Sequence, residues 1–317
     1  MPMNPIMFYN QQKRLQVGNG KQLIGYAGIF GQDLGCTDYG WCQVSLIDQS
    51  YLTHHIEVDS EDYANINQRY ESLNLQNTES LYLWLEQDTN GSVLNWRLFK
   101  STLTLEQLFP IYQACYDFDS LYQLFELVES LRVIPLRMFA REVLMDKQLM
   151  TAFVSIPASK RHHHSFPGGL LMHSLECALM TKQTVESLID ISTKEKEVAI
   201  VAALFHDVGK VKTIGLTQHT STGRLIDHEQ FTLMLLSEPL NILEEFWEQG
   251  AETLQYLLTW KESQGVCRFV SGNAIKMADR LSTSASLRSM AFKDKPDYFH
   301  FAELSIGTNK HYLNRLN

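Results

Sequence analysis

The sequence predicts an α+β chain: a small β-rich N-terminal domain, a helical connector, and an all-helical domain filling the C-terminal half. Three observations carry this. Residues from about 14 to 105 gather Val, Ile, Leu, Tyr and Trp into short runs between turn signals. From Leu105 onward apolar residues recur three and four apart, the period of amphipathic helices. Hydrophobic residues make up 44% and charged residues 20% of the 317, an ordinary globular balance. The expected boundaries are 1–104 for the β-rich domain, 105–154 for the connector and 155–317 for the helical domain.

The strand candidates are Gln22–Phe30, Trp41–Ile47, Tyr51–Val58, Ser80–Leu85 and Val93–Phe99. Gly18-Asn19-Gly20, Gly31–Gly35, Asp48-Gln49-Ser50 and Asn90-Gly91 separate them, the last being a good hairpin signal. Five short strands in this space suit a small OB-like barrel; a plain antiparallel sheet reads much the same. Helices are expected over Leu105–Tyr116, Leu121–Ser130 and Pro135–Phe153, then a loop over Ser155–Gly169. Further helices follow over Leu170–Ile189, Lys194–Asp207, His228–Leu236, Ile242–Thr259 and Asn273–Ser286. Ser192-x-x-Glu195 fits a capping box, and Gly209 reads as a helix stop. Lys293–Asn317 is mixed and matches no pattern.

Bulk properties exclude several classes. The longest purely apolar run, Val198–Phe205, is far short of the roughly 20 residues of a membrane span. The first residues, MPMNPIMFYNQQKR, lack the layout of a secretory signal, so a cytoplasmic location without membrane association is expected. Five cysteines, with no C-x-x-C pair, are expected as buried or idle thiols. A net charge of −9 argues against a generally basic surface that coats nucleic acid. It leaves room for a nuclease, because a metal site with a few nearby cations attracts phosphate locally.

The chemistry sits in the C-terminal half. An apolar helix ends in His206-Asp207, then Gly209-Lys210; imidazole beside carboxylate is a mixed N/O ligand pair. Both can converge on one ion only if they face a cavity at the helix end. Upstream, Gly168-Gly169 leads into a helix with His173 one turn in. Downstream, Asp279 closes an otherwise apolar turn, where a carboxylate is costly to bury unless paired or metal-bound. Between them, His228 stands flanked by Asp227 and Glu229.

The order His173 … His206-Asp207 … Asp279 resembles the H…HD…D signature of the HD superfamily of metal-dependent phosphohydrolases. The resemblance implies a helical domain in which His173, His206, Asp207 and Asp279 hold a divalent ion that activates water for attack on phosphorus. The ion is of the Mn, Fe, Mg or Zn kind. Asp207 and Lys210 are the implied catalytic residues, Asp207 orienting the water and Lys210 stabilising phosphate charge; a surface lysine is the bland alternative for the latter. Pro157-Ala158-Ser159-Lys160, His162-His163-His164 and the GGLLMHSL helix sharpen the likeness, with Gly223-x-Leu225-x-x-His228 later on. They are similar to the YhaM-type 3′–5′ exoribonucleases and to the TraI-like domain of MobH-type relaxases, over about residues 135 to 285.

The resemblance implies a phosphodiesterase acting on single-stranded RNA or DNA, most simply a 3′–5′ exonuclease. The alternatives it leaves are hydrolysis of nucleotides or cyclic dinucleotides, and a relaxase-like DNA-processing or accessory module. One departure stands out: Tyr256–Gly265 has no histidine where the exoribonuclease pattern carries a His-rich segment, so a complete two-ion shell is not expected. His163, His164 and His228 are the candidates for a second ion or for phosphate, with helix capping and solvent exposure as the plainer alternatives. In the β-rich domain Tyr39, Trp41 or Tyr51 could stack on bases, although such aromatics are more often core. Its cations, Lys13, Arg14 and Lys21 and then none until Arg69, form a thin track.

Overall fold

The computed structural model describes residues 23–31, 40–47, 52–73, 80–88, 90–160, 162–216, 218–306 and 309–316. Tyr39, Tyr51, Lys13, Arg14 and Lys21 lie outside these, as does the Gly18–Gly20 turn signal. The chain is α+β and divides into two compact units, Met1–Ala114 and Cys115–Asn317.

The first unit carries β1 (Leu23–Gly31), β2 (Trp41–Ile47), β3 (Thr53–Asp59), α1 (Ser60–Ser72), β4 (Ser80–Asp88), β5 (Val93–Ser101) and α2 (Leu105–Ala114). The strands form one antiparallel sheet in the order β3-β2-β1-β4-β5. Alternation sets the register. Cys42, Val44 and Leu46 of β2, Ile56 and Val58 of β3, and Leu81, Leu83 and Leu85 of β4 share one buried core, which Ile66 of α1 completes. The alternate residues of β4, Tyr82 and Trp84, are buried as well: their rings meet Phe99 of β5, and Trp84 meets Tyr112 of α2. The Asn90-Gly91 turn closes the β4–β5 hairpin, with Gly91 at φ +86° and Asp88 Oδ1 accepting the Asn90 and Ser92 amides.

Helix α1 has no counterpart in the sequence expectation. Its residues are mostly polar and only Ile66 is buried, so the apolar period that betrays other helices is missing. Asp59 starts it by accepting the Asp62 amide. Cys42, expected as an idle thiol, is disulfide-bonded, a pairing that spacing does not encode. Cys115, Cys177 and Cys267 are free and buried.

The second unit is helical apart from one hairpin. It runs α3 (Phe118–Glu129), α4 (Ile134–Met145), α5 (Lys147–Phe153), α6 (Gly169–Glu186), α7 (Thr193–Phe205), α8 (Lys210–Thr213), α9 (His228–Leu235), α10 (Ser237–Thr259), α11 (Val270–Phe292), β6 (Phe301–Ile306) and β7 (Asn309–Asn314). The single helix expected over Pro135–Phe153 is two, because Asp146 turns out of helical geometry and caps α5 by accepting the Gln148 and Leu149 amides. Nor is the unit all-helical, since β6 and β7 form an antiparallel hairpin whose Ala302, Leu304 and Leu313 pack on Ala291 and Phe292.

Helix α7 is the post of this unit. Every residue from Glu197 to Phe205 is buried, among α4, α6, α10 and α11. Ser192 caps its start by accepting the Glu195 amide, one half of the expected capping box; the Glu195 carboxylate instead accepts the Ser271 hydroxyl. At its far end Phe205 meets the rings of Phe139 and Phe153, so the chain leaves the helix deep inside the unit, at His206-Asp207. Among the described residues no helix is long and apolar enough to cross a membrane.

Candidate metal centre

Two glycines set the entry to α6. Gly168 sits at φ +81°, in the left-handed region, and a Cβ on Gly169 would lie 2.1 Å from the His164 carbonyl oxygen. The His162–His164 loop therefore lies directly on the first turn of α6, one turn before His173. Gly209 works differently from the helix stop expected of it. It keeps right-handed geometry, φ −58°, and a Cβ there would lie 1.9 Å from the His228 carbonyl oxygen. What it permits is the close approach of the α9 start to the turn after α7. Thr232 secures that approach, accepting the Gly209 amide and donating to the His206 carbonyl.

His173 of α6, His206 and Asp207 at the end of α7, and Asp279 of α11 thus meet. His173 Nε2 lies 3.3 Å from Asp207 Oδ2 and 3.4 Å from Asp279 Oδ1. His206 Nε2 lies 3.4 Å from Asp207 Oδ2 and 4.0 Å from Asp279 Oδ1. Donors held roughly 2.0–2.2 Å from a common ion in tetrahedral array stand roughly 3.3–3.6 Å apart, so the spacing suits one. Cys177 joins them: one ligand atom each from His173, Cys177, His206 and Asp279 all lie within 4.8 Å of one another. Its thiol lies 3.8 and 3.9 Å from the two ring nitrogens of His173.

The protonation states follow from the partners. His206 Nδ1 is 2.8 Å from the Ala203 carbonyl, which only accepts, so Nδ1 carries the proton. Its Nε2, buried and with no hydrogen-bond partner, presents a lone pair to the carboxylates. Ser282 gives its own proton to Glu176 Oε2 at 2.6 Å, so His173 Nδ1, 2.9 Å from Ser282 Oγ, donates to it. His173 Nε2 then faces Asp207 and Asp279 in the same way. Two imidazole lone pairs opposite two carboxylates repel one another unless a cation sits among them. Without a metal that cation is a proton. Burial opposes charging His173, yet hydrogen bonds to Asp207 and Asp279 push it up to about 11. Burial keeps His206 below its ordinary value. Burial would raise the Asp207 carboxyl, but the facing His206, the Lys210 ammonium and hydrogen bonds from His173 and His228 hold it well below the usual range.

Lys210, His228, His163 and His164, the other candidates for this centre, all lie around it. Lys210 is buried rather than on the surface, its ammonium 2.5 Å from Asp207 Oδ2. His228, at the start of α9, places Nε2 3.0 Å from Asp207 Oδ1. The three adjacent histidines diverge. His162 is exposed, whereas the rings of His163 and His164 lie 4.9 and 5.3 Å from that of His173. His164, at φ +44°, pairs with Glu176 at 3.2 Å. His163 has a buried Nε2 with no hydrogen-bond partner, and burial followed by the charges of Lys210 and His173 brings it down to about 4. Sequence reasoning missed Cys177, Glu176 and Ser282. The available signal was helical spacing: Cys177 is four residues after His173, and Ser282 three after Asp279.

Comparison with known proteins finds two kinds of likeness. The TraI_2 family, described as "Putative helicase", matches residues 120–223, a stretch that holds His163, His164, His173, His206, Asp207 and Lys210. Over 152 residues the chain is 28% identical to the 3′-5′ exoribonuclease YhaM of Halalkalibacterium halodurans, covering 46% of this chain and 45% of that one. The YhaM proteins of Shouchella clausii and Listeria innocua are 29% and 28% identical over 124 and 111 residues, or 37% and 34% of their lengths. The chain resembles the YhaM-type exoribonucleases. It spans under half the length of these YhaM relatives. No solved structure matches it.

Proposed function

We propose that this chain is a divalent-metal-dependent phosphodiesterase that shortens single-stranded RNA or DNA, as a 3′–5′ exonuclease. The observation that carries the reading is the pair of Nδ1-protonated imidazoles, His173 and His206, turning their Nε2 lone pairs toward Asp207 and Asp279. That donor set of two nitrogens and two carboxylates fits a transition or alkaline-earth dication, with the Cys177 thiol close by. An ion held there supplies Lewis acidity toward a phosphate ester and its attacking water. Asp207 orients that water through whichever oxygen is not bound. Lys210 and His228, both already on Asp207, lie at the edge where phosphate charge would be met. His163 offers an unpartnered buried nitrogen for the same purpose. The named activity of the YhaM relatives supports the substrate class.

The first unit is read as an OB-like platform. The strand order β3-β2-β1-β4-β5 and the helix between β3 and β4 support it, and half-exposed Trp41 on β2 is the described member of the base-stacking set. The TraI_2 match favours a second reading, a DNA-processing module that holds an ion without turnover. One experiment separates the two. Metal content of the purified protein is measured beside degradation of single-stranded RNA and DNA with manganese, for wild type and Asp207→Ala. Bound metal and stepwise shortening, both lost in the variant, are expected. Bound metal with intact oligonucleotides favours the second reading, and absence of metal from wild type overturns both.

A further inference from the structure

A cleft of about 660 Å³ opens beside the metal centre, and Lys160, His162, Lys210, Arg224, Asp227 and His228 are among the residues that line it. Lys210 and His228 belong to both, since each also touches Asp207, so the cleft runs continuously into the centre. The chain as a whole carries net charge −9, yet the charged residues of this lining are Lys160, Lys210 and Arg224 against Asp227 alone. A local cationic lining on an acidic protein points to an anionic ligand.

The three cations are not equivalent. The Lys210 ammonium is held by Asp207, and the Lys160 ammonium donates to the Gly215 carbonyl, tying two walls of the cleft together. Arg224 is exposed, and among the described residues its guanidinium makes no ion pair or hydrogen bond. Its backbone is nonetheless fixed. It ends the short 3₁₀ turn Thr222–Arg224, which Thr220 pins by accepting the Gly223 amide, donating to the Lys212 carbonyl and bonding through its own amide to the Thr213 carbonyl. An uncommitted guanidinium on a fixed turn is a ready two-pronged phosphate ligand.

We propose that this cleft seats the sugar–phosphate backbone of a single strand leading away from the reacting phosphate, with Arg224 gripping a neighbouring phosphate. The assignment rests on the nuclease reading. A strand offers one phosphate per nucleotide, so it satisfies the metal centre and Arg224 together. An isolated nucleotide presents its phosphates in one place.

The test compares wild type, Arg224→Ala and Arg224→Lys as metal-loaded full chains. Fluorescence anisotropy reads the binding of short phosphorothioate RNA and DNA strands, which resist cleavage, across a salt series. Hydrolysis of bis(p-nitrophenyl) phosphate, which has no second phosphate, reads the centre alone. Arg224→Ala should weaken strand binding roughly tenfold and flatten the salt slope by ~0.7, the loss of one single-strand phosphate contact. Arg224→Lys should recover most of both, and the small diester should turn over unchanged in all three. Unchanged affinity and slope in Arg224→Ala overturn the groove, as does a wild type that binds neither strand. No small-diester hydrolysis in wild type, with the slope difference intact, instead overturns the hydrolase reading and leaves the groove standing.

Discussion

At the scale of single residues, the proposed centre depends on side chains outside its four candidate ligands. Ser282 gives its proton to Glu176, and that obliges His173 to donate through Nδ1, leaving Nε2 as the nitrogen that can meet an ion. Ser282→Ala removes the acceptor and frees the ring to turn or change tautomer. Loss of such an outer partner lowers metal affinity by about 10–100-fold, so a competition titration with a chromophoric chelator should show a drop of that order. Equal affinities in wild type and variant would show that packing alone orients His173. The sequence exposes His173, His206, Asp207 and Asp279 because each is a polar residue in an apolar helical setting, and the structure brings those four together. It hides Glu176 and Ser282 because their significance lies in what faces them from another helix, whereas Cys177 lies one turn from His173 on α6 itself. Ser282 Oγ lies 2.9 Å from His173 Nδ1, yet the two come from α11 and α6.

Elements with a strong apolar period were legible nearly to their ends. β2 has the limits Trp41–Ile47 read from the sequence, and α9 starts at His228 as expected. Elements without such a period were not: α1 buries one residue, and the β6–β7 hairpin rests on a small apolar patch of its own. The break between α4 and α5 was invisible because apolar spacing runs straight through Asp146. Glu197 shows what holds these helices in place. Its buried carboxylate accepts the amides of Arg132 and Val133, both at 2.8 Å, at the start of α4. Glu197→Ala leaves both amides unsatisfied, at a cost of about 2–4 kcal/mol. Urea denaturation should show a lower midpoint with an unchanged slope. A variant as stable as wild type would mean that water replaces the carboxylate at no cost.

For the whole molecule, the four clustered side chains come from α6, α11 and the end of α7, so an ion held among them would link its binding to the folding of the second unit. An ion that binds the folded unit alone, supplied at about 100 times its dissociation constant, adds about 2.7 kcal/mol. Manganese should therefore raise the thermal midpoint of the protein, EDTA should reverse the rise, and Asp207→Ala should show neither. A midpoint indifferent to metal in wild type would mean the four side chains are held by packing and by the His173 proton alone. The burial of α7 from Glu197 to Phe205 has a consequence for how such a chain can change over generations. Any enlargement along that helix presses on a neighbour and shifts His206-Asp207 with it, so the post is closed to variation. Ile226 and Asp227 on the cleft wall, and Leu225 beside them, are exposed and free to drift. If the cleft and centre act as proposed, substrate preference can be rewritten there while the chemistry stays as it is.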